Sequence, residues 1–396
     1  MKLYSIKDVK DLKGKKVFLR VDWNVAMKNN KILEPYRIER TIPTIKYLLR
    51  RNCQLIIASH LGRPEGRRQK KYSLAPIVRV LKKDLPGQAI KFVTDRLNES
   101  TARSIKHSSI KIIVLENLRF DEAEEKNSRR FAELLASMAD IYVNDAFAVC
   151  HRKAASVSAI TKCLPSFSGL NMDQEVDFLS RAINQKSYAV AIIGGIKIDS
   201  KFPVVEALSS KYSSVLVAGG VGNLFLKAAG ADIGASVCDD RFLRRAKVLL
   251  KRRTILYPID YIVSDKKKMT QSRYHKLSWD SQIASKNEMI LDIGPETIRR
   301  YINALQGARL IVWGGPVGNT ELKDFSRGTK ILAKFVASRS RKKNVTTIIG
   351  GGETIAAFGQ FGLKDKIDFI STGGGAMLEF LEGIILPGIK PLIKNK

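Results

Sequence analysis

The chain has 396 residues, of which 44% are hydrophobic and 27% are charged. This composition is typical of a globular protein, and the length suits two domains better than one core. No apolar run approaches the roughly 20 residues of a membrane span, and Met1–Lys16 lacks a signal-peptide core. The four cysteines have neither metal nor disulfide spacing. We therefore expect a cytoplasmic protein with no membrane partner.

The formal net charge of +31 comes from 69 Lys and Arg against 38 Asp and Glu. Such an excess indicates anionic substrates, binding to nucleic acid, or a bias in the composition of the source organism. The basic runs are spread over the chain, contain few aromatic residues and match no nucleic-acid-binding module. We interpret them mainly as solvated faces with weak, non-specific affinity for polyanions, and expect no specific nucleic-acid partner.

The first half of the chain alternates apolar segments with amphipathic ones. Apolar runs predict strands at Lys16–Arg20, Gln54–Ser59, Ile90–Val93, Ile110–Leu115 and Ile141–Val143. Helical periodicity predicts helices between them, at Ile42–Arg51, Leu74–Lys83 and Ser128–Met138. This alternation predicts a parallel sheet with helices on both faces, in which ligands bind beyond the carboxyl ends of the strands.

The loops after these predicted strands are rich in residues that bind anions. Different strand ends are followed by Arg37, Arg63, Arg119, Arg152, His60 and His151. Clustered guanidinium groups repel one another unless an anion joins them, and their forked donors match carboxylate and phosphate. A surface ion pair would explain any one of these arginines, but four from separate strand ends favour a site for a small anion.

Leu164-Pro165 and Gly169 interrupt the alternation. The pattern then predicts one helix over Asp173–Ile183, which Asn184–Lys186 ends. We place the connection between two domains at this hinge helix and expect it to transmit a rotation between them.

The second half repeats the alternation and adds glycine. Strands are predicted at Tyr188–Ile193, Val215–Val217, Thr254–Tyr257, Ile259–Val263, Ile290–Leu291, Leu310–Trp313, Val345–Ile349 and Phe369–Ile370. Glycine-rich loops follow at Gly219-Gly220, Asp292–Pro295, Gly314–Pro316, Gly350–Thr354 and Thr372–Gly375. Glycine lets the backbone approach a ligand closely, so this half predicts a site for a nucleotide or another polyphosphate.

The segment Gly194–Lys201 joins a predicted buried strand to the helix Phe202–Ser209. Lys197 and Lys201 are four residues apart, so they share one face of the first helical turn. Two ammonium groups beside free backbone amides suit a polyphosphate. A tight turn with two solvated lysines is the alternative at this point. The loops lack GxGxxG and GxxxxGK[ST], which argues against an ordinary oxidoreductase or P-loop enzyme.

The predicted fold class is α/β, with two Rossmann-like, doubly wound parallel-sheet domains joined by a hinge helix. One domain offers an arginine-rich pocket and the other a glycine-rich pocket. Such a pair suits phosphoryl transfer, in which water must be excluded and charge neutralised.

Together these motifs resemble the phosphoglycerate kinase family from about Val17 to Pro387. The motifs that carry the resemblance are Arg20–Val25, Ser59–Pro64, Leu115–Phe120, Asn144–Phe147 with His151-Arg152, Gly194–Lys201 and Ser371–Ala376. The resemblance implies reversible phosphoryl transfer between 1,3-bisphosphoglycerate and ADP, giving 3-phosphoglycerate and ATP in glycolysis. It further implies Mg²⁺ on the nucleotide, and we expect a monomer.

The resemblance also assigns a function to each segment. Residues 1–170 would bind 3-phosphoglycerate, 171–187 would form the hinge helix and 188–380 would bind the nucleotide. The tail, residues 381–396, would pack back on the first domain.

Matching motif positions imply the roles of individual residues. The substrate residues would be Asp22, Trp23, Asn24, Arg37, His60, Leu61, Gly62, Arg63, Arg119 and Arg152. The nucleotide residues would be Lys201, Gly219, Gly294, Glu321, Gly351, Gly352, Glu353 and Thr354, with Glu321 on the ribose and Glu353 nearest the metal. Arg37, Lys197 and Lys201 would be catalytic. The nucleophile is already ionised at neutral pH, so positioning and positive charge are needed rather than a general base.

The sequence departs from the family pattern at several positions. Glu353 stands where aspartate is usual, and Gly314 stands where the family has asparagine. The other departures are Ala218, Ser200, Ala148-Val149 and Ala154. The catalytic residues and Glu321 remain, which favours an active kinase, while a reduced rate or an altered nucleotide or metal preference stays a hypothesis.

Two other functions compete with this one. The first is a catalytically weakened relative whose basic surface binds nucleic acid or another polyanion. The second is a dinucleotide-dependent dehydrogenase, which the missing GxGxxG disfavours. A coupled assay with 3-phosphoglycerate and ATP–magnesium discriminates between the kinase and both alternatives.

Overall fold

The computed structural model describes residues 1–184, 188–267, 269, 272–276 and 284–394. The chain forms two compact units. Unit 1 comprises Met1–Asp177 together with Ile385–Lys396, and unit 2 comprises Phe178–Ile384. Within the described ranges, no helix is both long and apolar enough to cross a membrane.

Unit 1 is built on a six-stranded parallel sheet and a two-stranded hairpin. Its strands are β1 Lys16–Arg20, β2 Met27–Lys28, β3 Lys31–Ile32, β4 Gln54–Ala58, β5 Ile90–Val93, β6 Ile112–Leu115, β7 Ile141–Asn144 and β8 Ser166–Ser168. The strand order is β5-β6-β4-β1-β7-β8, and β2 and β3 form the antiparallel hairpin.

The helices of this part of the chain are α1 Tyr36–Glu39, α2 Ile42–Arg50, α3 Ala75–Asp84, α4 Glu99–Lys106, α5 Glu122–Glu125, α6 Arg129–Ala136 and α7 Leu170–Ile183. Alternate residues of one strand belong to two different cores. Val17 and Leu19 of β1 pack in one cluster, whereas Phe18 packs in the other. The central strand is therefore buried on both faces, as an α/β sheet requires.

The connecting helix α7 begins beside the loop after β7. The backbone amides of Asn171 and Met172 donate to Oδ1 of Asp145 at 2.9 and 3.0 Å. This carboxylate satisfies two of the free amides at the helix start. The helix ends at Ile183, as predicted for Asp173–Ile183, and begins three residues earlier than predicted, at Leu170. Residues 185–187 of the predicted hinge segment 171–187 lie outside the described ranges.

Unit 2 contains a second six-stranded parallel sheet and a smaller antiparallel one. Its strands are β9 Ala189–Ile193, β10 Ser214–Val217, β11 Ile255–Leu256, β12 Asp260–Asp265, β13 Arg273–Lys276, β14 Glu288–Ile293, β15 Leu310–Gly314, β16 Thr346–Gly350 and β17 Phe369–Ser371. The parallel sheet has the order β11-β10-β9-β15-β16-β17. Its helices are α8 Ile198–Ser209, α9 Gly219–Ala228, α10 Leu243–Leu249, α11 Pro295–Gln306, α12 Arg327–Ser340, α13 Gly352–Gln360 and α14 Gly375–Glu382.

The antiparallel sheet differs from what the sequence pattern predicts. The segments Ile259–Val263 and Ile290–Leu291 were expected to continue the parallel alternation. Instead β12 and β14 pair with each other in antiparallel register, with β13 on the far side of β12. Apolar runs predict that a strand exists but not its partner, because direction is decided by the connections and by packing.

The C-terminal residues pack within unit 1. The amide of Tyr4 donates to the carbonyl oxygen of Leu392 at 2.8 Å, and the amide of Gly388 donates to that of Cys150 at 2.9 Å. Two segments far apart in sequence therefore meet near the loop that follows β7.

Candidate active site

The carboxyl ends of β1 and β4 are parallel neighbours, and the loops beyond them are bonded together. The amide of Trp23 donates to Oγ of Ser59 at 2.9 Å. The amide of Gly62 donates to the side-chain oxygen of Asn24 at 2.9 Å, and Asn24 in turn donates its amide to Asp22 at 3.1 Å. Predicted substrate residues from two loops thus share one edge of the sheet.

Asp22 is the buried carboxylate of this edge, with 5% of its side chain exposed. It forms an ion pair with Arg37 of α1, whose side chain keeps 28% of its surface exposed. Oδ1 of Asp22 lies 3.8 Å from Nδ1 of His60. Nη2 of Arg20 lies 3.3 Å from the same imidazole nitrogen. The ion pair therefore orients Arg37 while leaving part of its guanidinium open to a ligand.

The lowered pKa of His60 shows that this edge of the sheet is strongly cationic. Burial lowers the pKa of His60 well below 6.5, and the positive charges of Arg20, Arg119, Arg37 and Arg152 lower it further. The imidazole is therefore neutral near pH 7. Four guanidinium groups from different segments act on one ring, and such a cluster favours binding of an anion.

Arg119 follows β6 and brings a third strand end to the cluster. Its guanidinium donates to the carbonyl oxygen of Gly62 at 2.8 Å, and Nε lies 3.3 Å from a carboxylate oxygen of Glu125. Burial lowers the pKa of Arg119, an effect that Glu125 opposes. Because Arg119 is 7% exposed, its direction is set by the surrounding protein.

Arg152 comes from the loop after β7 and is half-buried. Its Nε lies 3.3 Å from Nε2 of His151. Burial, followed by the charge of Arg152, lowers the pKa of His151. A neutral His151 accepts a hydrogen bond from Arg152 and so orients the guanidinium.

Not every predicted substrate residue presents its side chain. The indole of Trp23 is fully buried and donates to Oγ1 of Thr41 at 3.2 Å. Leu61 is 3% exposed and packs in the same core as Trp23. Arg63 is exposed. In the described ranges, Trp23 and Leu61 therefore support the site through the core, and only their backbone is available to a ligand.

In unit 2, the predicted lysine loop joins β9 to α8. Lys197 stands at the N-cap of α8 and is exposed. Lys201 lies one turn further, is 8% exposed, and donates to the carbonyl oxygen of Gly194. Gly195 and Gly315 have positive φ angles of 81° and 90°, and a Cβ on either would overlap with Nζ of Lys201. Glycine at both positions makes room for the buried ammonium group.

The ammonium group of Lys201 is destabilised where it lies. Burial lowers the pKa of Lys201 to about 8, while Glu353 raises it and Lys197 lowers it. A polyphosphate beside this group would favour its charged form. The arrangement is therefore completed electrostatically by an anionic ligand.

A cavity of about 210 Å³ opens beside this loop. Three predicted nucleotide residues line it, namely Gly219, Glu321 and Glu353. Gly294 borders it only through its neighbour Ile293, because Gly294 is packed against the side chain of Asp260 at the start of α11. The wall is glycine and apolar side chains with few polar groups, as in many small-molecule sites.

Polar residues that were not among the predicted site residues also line the cavity, namely Asn223, Tyr261, Asp292, Asn319 and Thr320. Asp292 accepts hydrogen bonds from the amides of Ile293 and Gly328 at 2.9 and 2.8 Å. Burial raises the pKa of Asp292 to about 7, which these bonds oppose. In the sequence, Asp292 is recognisable only as the first residue of the loop Asp292–Pro295. That loop was predicted to bind a ligand because of its glycine and not because of its carboxylate.

The other predicted phosphate residues lie at the start of α13. Gly351 is the N-cap, Gly352 and Glu353 begin the helix, and both Gly352 and Glu353 are exposed. Thr354 is buried, and its Oγ1 accepts from the amide of Gly315 at 2.7 Å. Thr354 thus ties the start of α13 to the loop after β15, beside Lys201.

The structure shows what surrounds Gly314, one of the departures from the family pattern. A Cβ on Gly314 would contact Leu378 and Met377 of α14 at 3.6 and 3.8 Å. These are ordinary van der Waals contacts with apolar side chains, so the backbone here tolerates a side chain. Nothing in the structure explains why this chain has glycine at position 314.

Two α/β units, one with an arginine-rich edge and one with a glycine-lined cavity beside a buried lysine, form the arrangement expected of a nucleotide-dependent phosphotransferase. A sequence model of the family described as phosphoglycerate kinase matches residues 6–384. The chain belongs to the phosphoglycerate kinase family, and it is an enzyme of the kinase class.

Individual relatives agree along the full length. The phosphoglycerate kinase of Thermosipho africanus is 40% identical over 404 residues, which cover 100% of this chain and 99% of the relative. That of Koribacter versatilis is 40% identical over 406 residues, with 99% of each chain covered. Neither the dehydrogenase nor the catalytically weakened relative finds support in these comparisons.

Solved structures agree on the fold. The phosphoglycerate kinase of Coxiella burnetii superposes with a TM-score of 0.83 at 37% identity, and that of Pyrococcus horikoshii with 0.85 at 30% identity. Each comparison covers 98% of both chains. The predicted α/β fold class is confirmed.

Proposed function

We propose that the chain catalyses the reversible transfer of a phosphoryl group between 1,3-bisphosphoglycerate and ADP, giving 3-phosphoglycerate and ATP in glycolysis. The observation that carries this proposal is the cluster of arginines beside buried His60: Nη2 of Arg20 lies 3.3 Å from the imidazole, and Arg37 shares Asp22 with it. A small polyanion is the ligand that such a cluster requires. The buried Lys201 and its glycine-lined surroundings supply the matching polyphosphate site.

In this proposal, unit 1 holds the phosphoglycerate. Arg119 and Arg152 are held by Gly62 and His151 with part of their donor capacity left for substrate oxygens. Arg63 is exposed and contributes charge at the mouth. His60 is neutral, so it offers one N–H donor or one acceptor to the substrate rather than a full charge. Asn24 and the backbone of Trp23, Leu61 and Gly62 complete the set, while Asp22 orients Arg37.

Three cations act on the transferred group. Arg37, Lys197 and Lys201 neutralise the charge on its equatorial oxygens, which is the main catalytic requirement of phosphoryl transfer. The attacking oxygen is a carboxylate or phosphate oxygen and carries no proton near pH 7. The residues therefore supply positioning and charge, and no side chain has to remove a proton.

In unit 2 we assign the nucleotide to the cavity beside the lysine loop. Gly219 and Glu321 border the nucleoside part, with Glu321 near the ribose hydroxyls, and Gly294 supports this wall from behind. Gly351, Gly352 and Thr354 place the amides at the start of α13 beside the phosphates. The start of a helix suits phosphate because its amides are free and its dipole is positive there.

Mg²⁺ fits the residues present. Magnesium in phosphotransferases is bound by one or two carboxylates together with phosphate oxygens and water. Glu353 is an exposed carboxylate close enough to Lys201 to influence its pKa, and among the described residues no cluster of three acidic, His or Cys side chains forms a separate metal cage. When bound, Mg²⁺ would neutralise charge on the nucleotide phosphates, with Glu353 as its nearest protein ligand.

We also propose that transfer follows closure of the hinge. The assigned phosphoglycerate residues belong to unit 1 and the nucleotide residues to unit 2. In-line transfer needs the reacting atoms to be about 3–3.5 Å apart. Small-angle X-ray scattering tests this: the radius of gyration should fall when both substrates are added, and an unchanged radius would contradict closure.

The remaining proposals concern the location, the oligomeric state and the partners of the protein. We propose a cytoplasmic monomer without specific recognition of nucleic acid. The four cysteines are free, as a reducing compartment requires. Sedimentation equilibrium at micromolar concentration tests the monomer, and a dimer mass would contradict it.

The experiment that tests the function is a coupled assay with 3-phosphoglycerate and nucleotide. It should be run with ATP and GTP, and with Mg²⁺ and Mn²⁺, because Glu353 replaces the usual aspartate beside the metal. We expect turnover with ATP and Mg²⁺. Absence of turnover with all four combinations, in a protein that is folded by circular dichroism, would reject the proposal.

A further inference from the structure

The parallel sheet of unit 1 has a second charged edge, at the amino ends of its strands. Five cations lie in the segments that lead into β1, β4 and β6. We name this set the amino-end face, and it comprises Lys13, Lys15, Arg51, Lys106 and Lys111. Four of the five side chains are exposed, and Lys15 is half-buried.

Hydrogen bonds join these three segments into one surface. The amide of Gly14 donates to the carbonyl oxygen of Asn52 at 3.3 Å. The ammonium group of Lys111 donates to the side chain of Asn52, and that of Lys16 donates to the carbonyl oxygen of Lys106. The three segments that carry the cations are therefore neighbours in space and not only in topology.

A shared neighbour confirms that two of them are close together. Both Lys111 and Arg51 lower the pKa of Cys53, which burial raises to about 11. Cys53 itself is fully buried, so both charges lie within electrostatic reach of one core residue, and Lys111 is bonded to Asn52, the residue next to Arg51.

Positive charge on this face exceeds the negative charge of Asp11 and Asp140, the carboxylates in the segments that lead into β1 and β7. Among the described residues, none of the five cations is ion-paired with a carboxylate. The nearest strand-entry carboxylate, Asp140, accepts the amide of Lys16 at 2.8 Å. Arg51 and Lys106 stand at the C-terminal ends of α2 and α4, where a cation is favoured by the helix dipole. No helix dipole stabilises the other three cations, Lys13, Lys15 and Lys111, because they lie in connecting segments.

We propose that the amino-end face binds the phosphate backbone of a nucleic-acid duplex without sequence preference. A cluster of four lysines and one arginine supplies the charge for phosphate contacts. Binding of single strands relies on exposed aromatic side chains for base stacking. The large exposed apolar residues of the described chain lie elsewhere, and the ring of Tyr47 is covered by Arg51 at 3.8 Å. The same lack of apolar side chains disfavours insertion into a membrane.

This face is separate from the candidate active site. The arginines of the substrate edge follow the carboxyl ends of the same strands, for example Arg20 at the end of β1. A strand of five residues spans about 16 Å, so the two charged edges lie on opposite sides of one sheet. Changes to the amino-end face should therefore leave kinase activity intact.

The test compares two triple variants of equal net charge. The first is Lys13→Gln/Lys106→Gln/Lys111→Gln on the amino-end face. The matched control is Arg341→Gln/Lys342→Gln/Lys343→Gln, three exposed cations after α12 in unit 2. Binding to a fluorescent RNA duplex of mixed sequence is measured by anisotropy between 50 and 300 mM KCl, at about five concentrations of salt.

We expect the full chain to bind with a log–log salt slope of about −4.5, as about five phosphate contacts predict. The amino-end variant should bind at least ~10-fold more weakly at 100 mM KCl, with a slope smaller by about 2 to 3. The control should stay within about threefold of the parent chain, because it removes only general attraction. Both variants should retain full turnover in the coupled assay.

Several outcomes would overturn the proposal. Equal weakening of both variants would mean that total charge alone attracts the duplex. Displacement of the duplex by saturating 3-phosphoglycerate would place it on the substrate edge instead. Binding to phosphatidylserine vesicles without binding to the duplex would identify a lipid surface as the partner.

Discussion

The two units present different candidate sites for anions. In unit 1 the charge is carried by side chains, and each guanidinium is held by a specific partner such as Asp22 for Arg37 or Gly62 for Arg119. In unit 2 the candidate site is built mainly from backbone, with glycines that allow close approach and, among the described residues, one buried ammonium group, that of Lys201. The difference predicts different sensitivities: unit 1 should be damaged by removing a guanidinium, and unit 2 both by removing a lysine and by adding a side chain at a glycine.

The largest effect should come from Lys197, which is exposed at the N-cap of α8. Lys197→Ala should lower kcat about 100- to 1,000-fold, which equals about 3–4 kcal/mol of transition-state stabilisation, because its charge matters mainly in the transition state. Its KM values should change less than about threefold. The matched control is Lys211→Ala, an exposed lysine just beyond the other end of α8. An unchanged kcat in Lys197→Ala would refute its catalytic role.

Adding one methyl group should harm unit 2 almost as much. A Cβ at position 315 would overlap with the carbonyl oxygen of Gly194 and with Lys201, at a φ of 90°. Gly315→Ala should therefore lower the free energy of unfolding by about 2–4 kcal/mol and weaken nucleotide binding. Gly307→Ala is the control, because its Cβ would lie 3.8 Å from the ring of Tyr188. Similar thermal midpoints for the two variants would count against a backbone-built site.

Removing a side chain should harm unit 1 selectively. Arg152→Ala should raise the KM for 3-phosphoglycerate about 10- to 100-fold, since a charged hydrogen bond contributes about 1.5–3 kcal/mol. The KM for ATP should stay within about twofold. Lys153→Ala removes a neighbouring exposed cation and serves as control. Equal effects of both variants on 3-phosphoglycerate would show that general charge, rather than a held guanidinium, binds the substrate.

The protonation state of Lys201 tests directly whether the nucleotide phosphates bind beside this residue in unit 2. Its pKa of about 8 in the free enzyme means that most molecules lack this charge at pH 9, and a polyphosphate should restore it. Binding of ADP should therefore take up nearly one proton at pH 9 and almost none at pH 7. Isothermal titration calorimetry in two buffers of different ionisation enthalpy measures this uptake. The Lys201→Met protein should show none, and equal uptake in both proteins would contradict the assignment.

The smallest effect concerns His60 and the decrease in folding stability at acidic pH. Its pKa is lowered in the folded protein, whereas the unfolded chain takes up the proton below about pH 6.5. Folding stability should therefore fall as the pH drops below that value, by at most about 1.4 kcal/mol at pH 5.5 from this residue. His60→Gln should reduce the loss of thermal midpoint between pH 7 and pH 5.5. A loss as steep as that of the parent chain would show that His60 is not the group responsible.

Strands with a strong apolar signal could be predicted from the sequence, and polar ones could not. β5 has the predicted bounds Ile90–Val93, and β9 begins one residue later than predicted. β8 and β13 were missed because Ser166–Ser168 and Arg273–Lys276 are polar segments. Such strands form because a neighbouring strand offers hydrogen bonds, which the local sequence does not show.

Site residues also differ in how far the sequence could predict them. Motif residues such as Arg37, Arg152 and Lys201 could be found from their positions after strands. Tyr261 and Asn319 could not, because they reach the cavity from β12 and from the segment after β15, which lack any shared motif. Their roles, like those of all the site residues, stay predictions until the variants are measured.

By itself, the sequence determined the α/β class, the family and the places where cations and glycines follow strands, because apolar periodicity and motif spacing are local properties. Tertiary structure alone decided which side chains are buried behind the site, as for Trp23, and which strands run antiparallel. It also decided that burial lowers the pKa of Lys201 and that Asp22 holds Arg37. Those properties depend on groups far apart in the chain, whose distances exist only once the chain has folded.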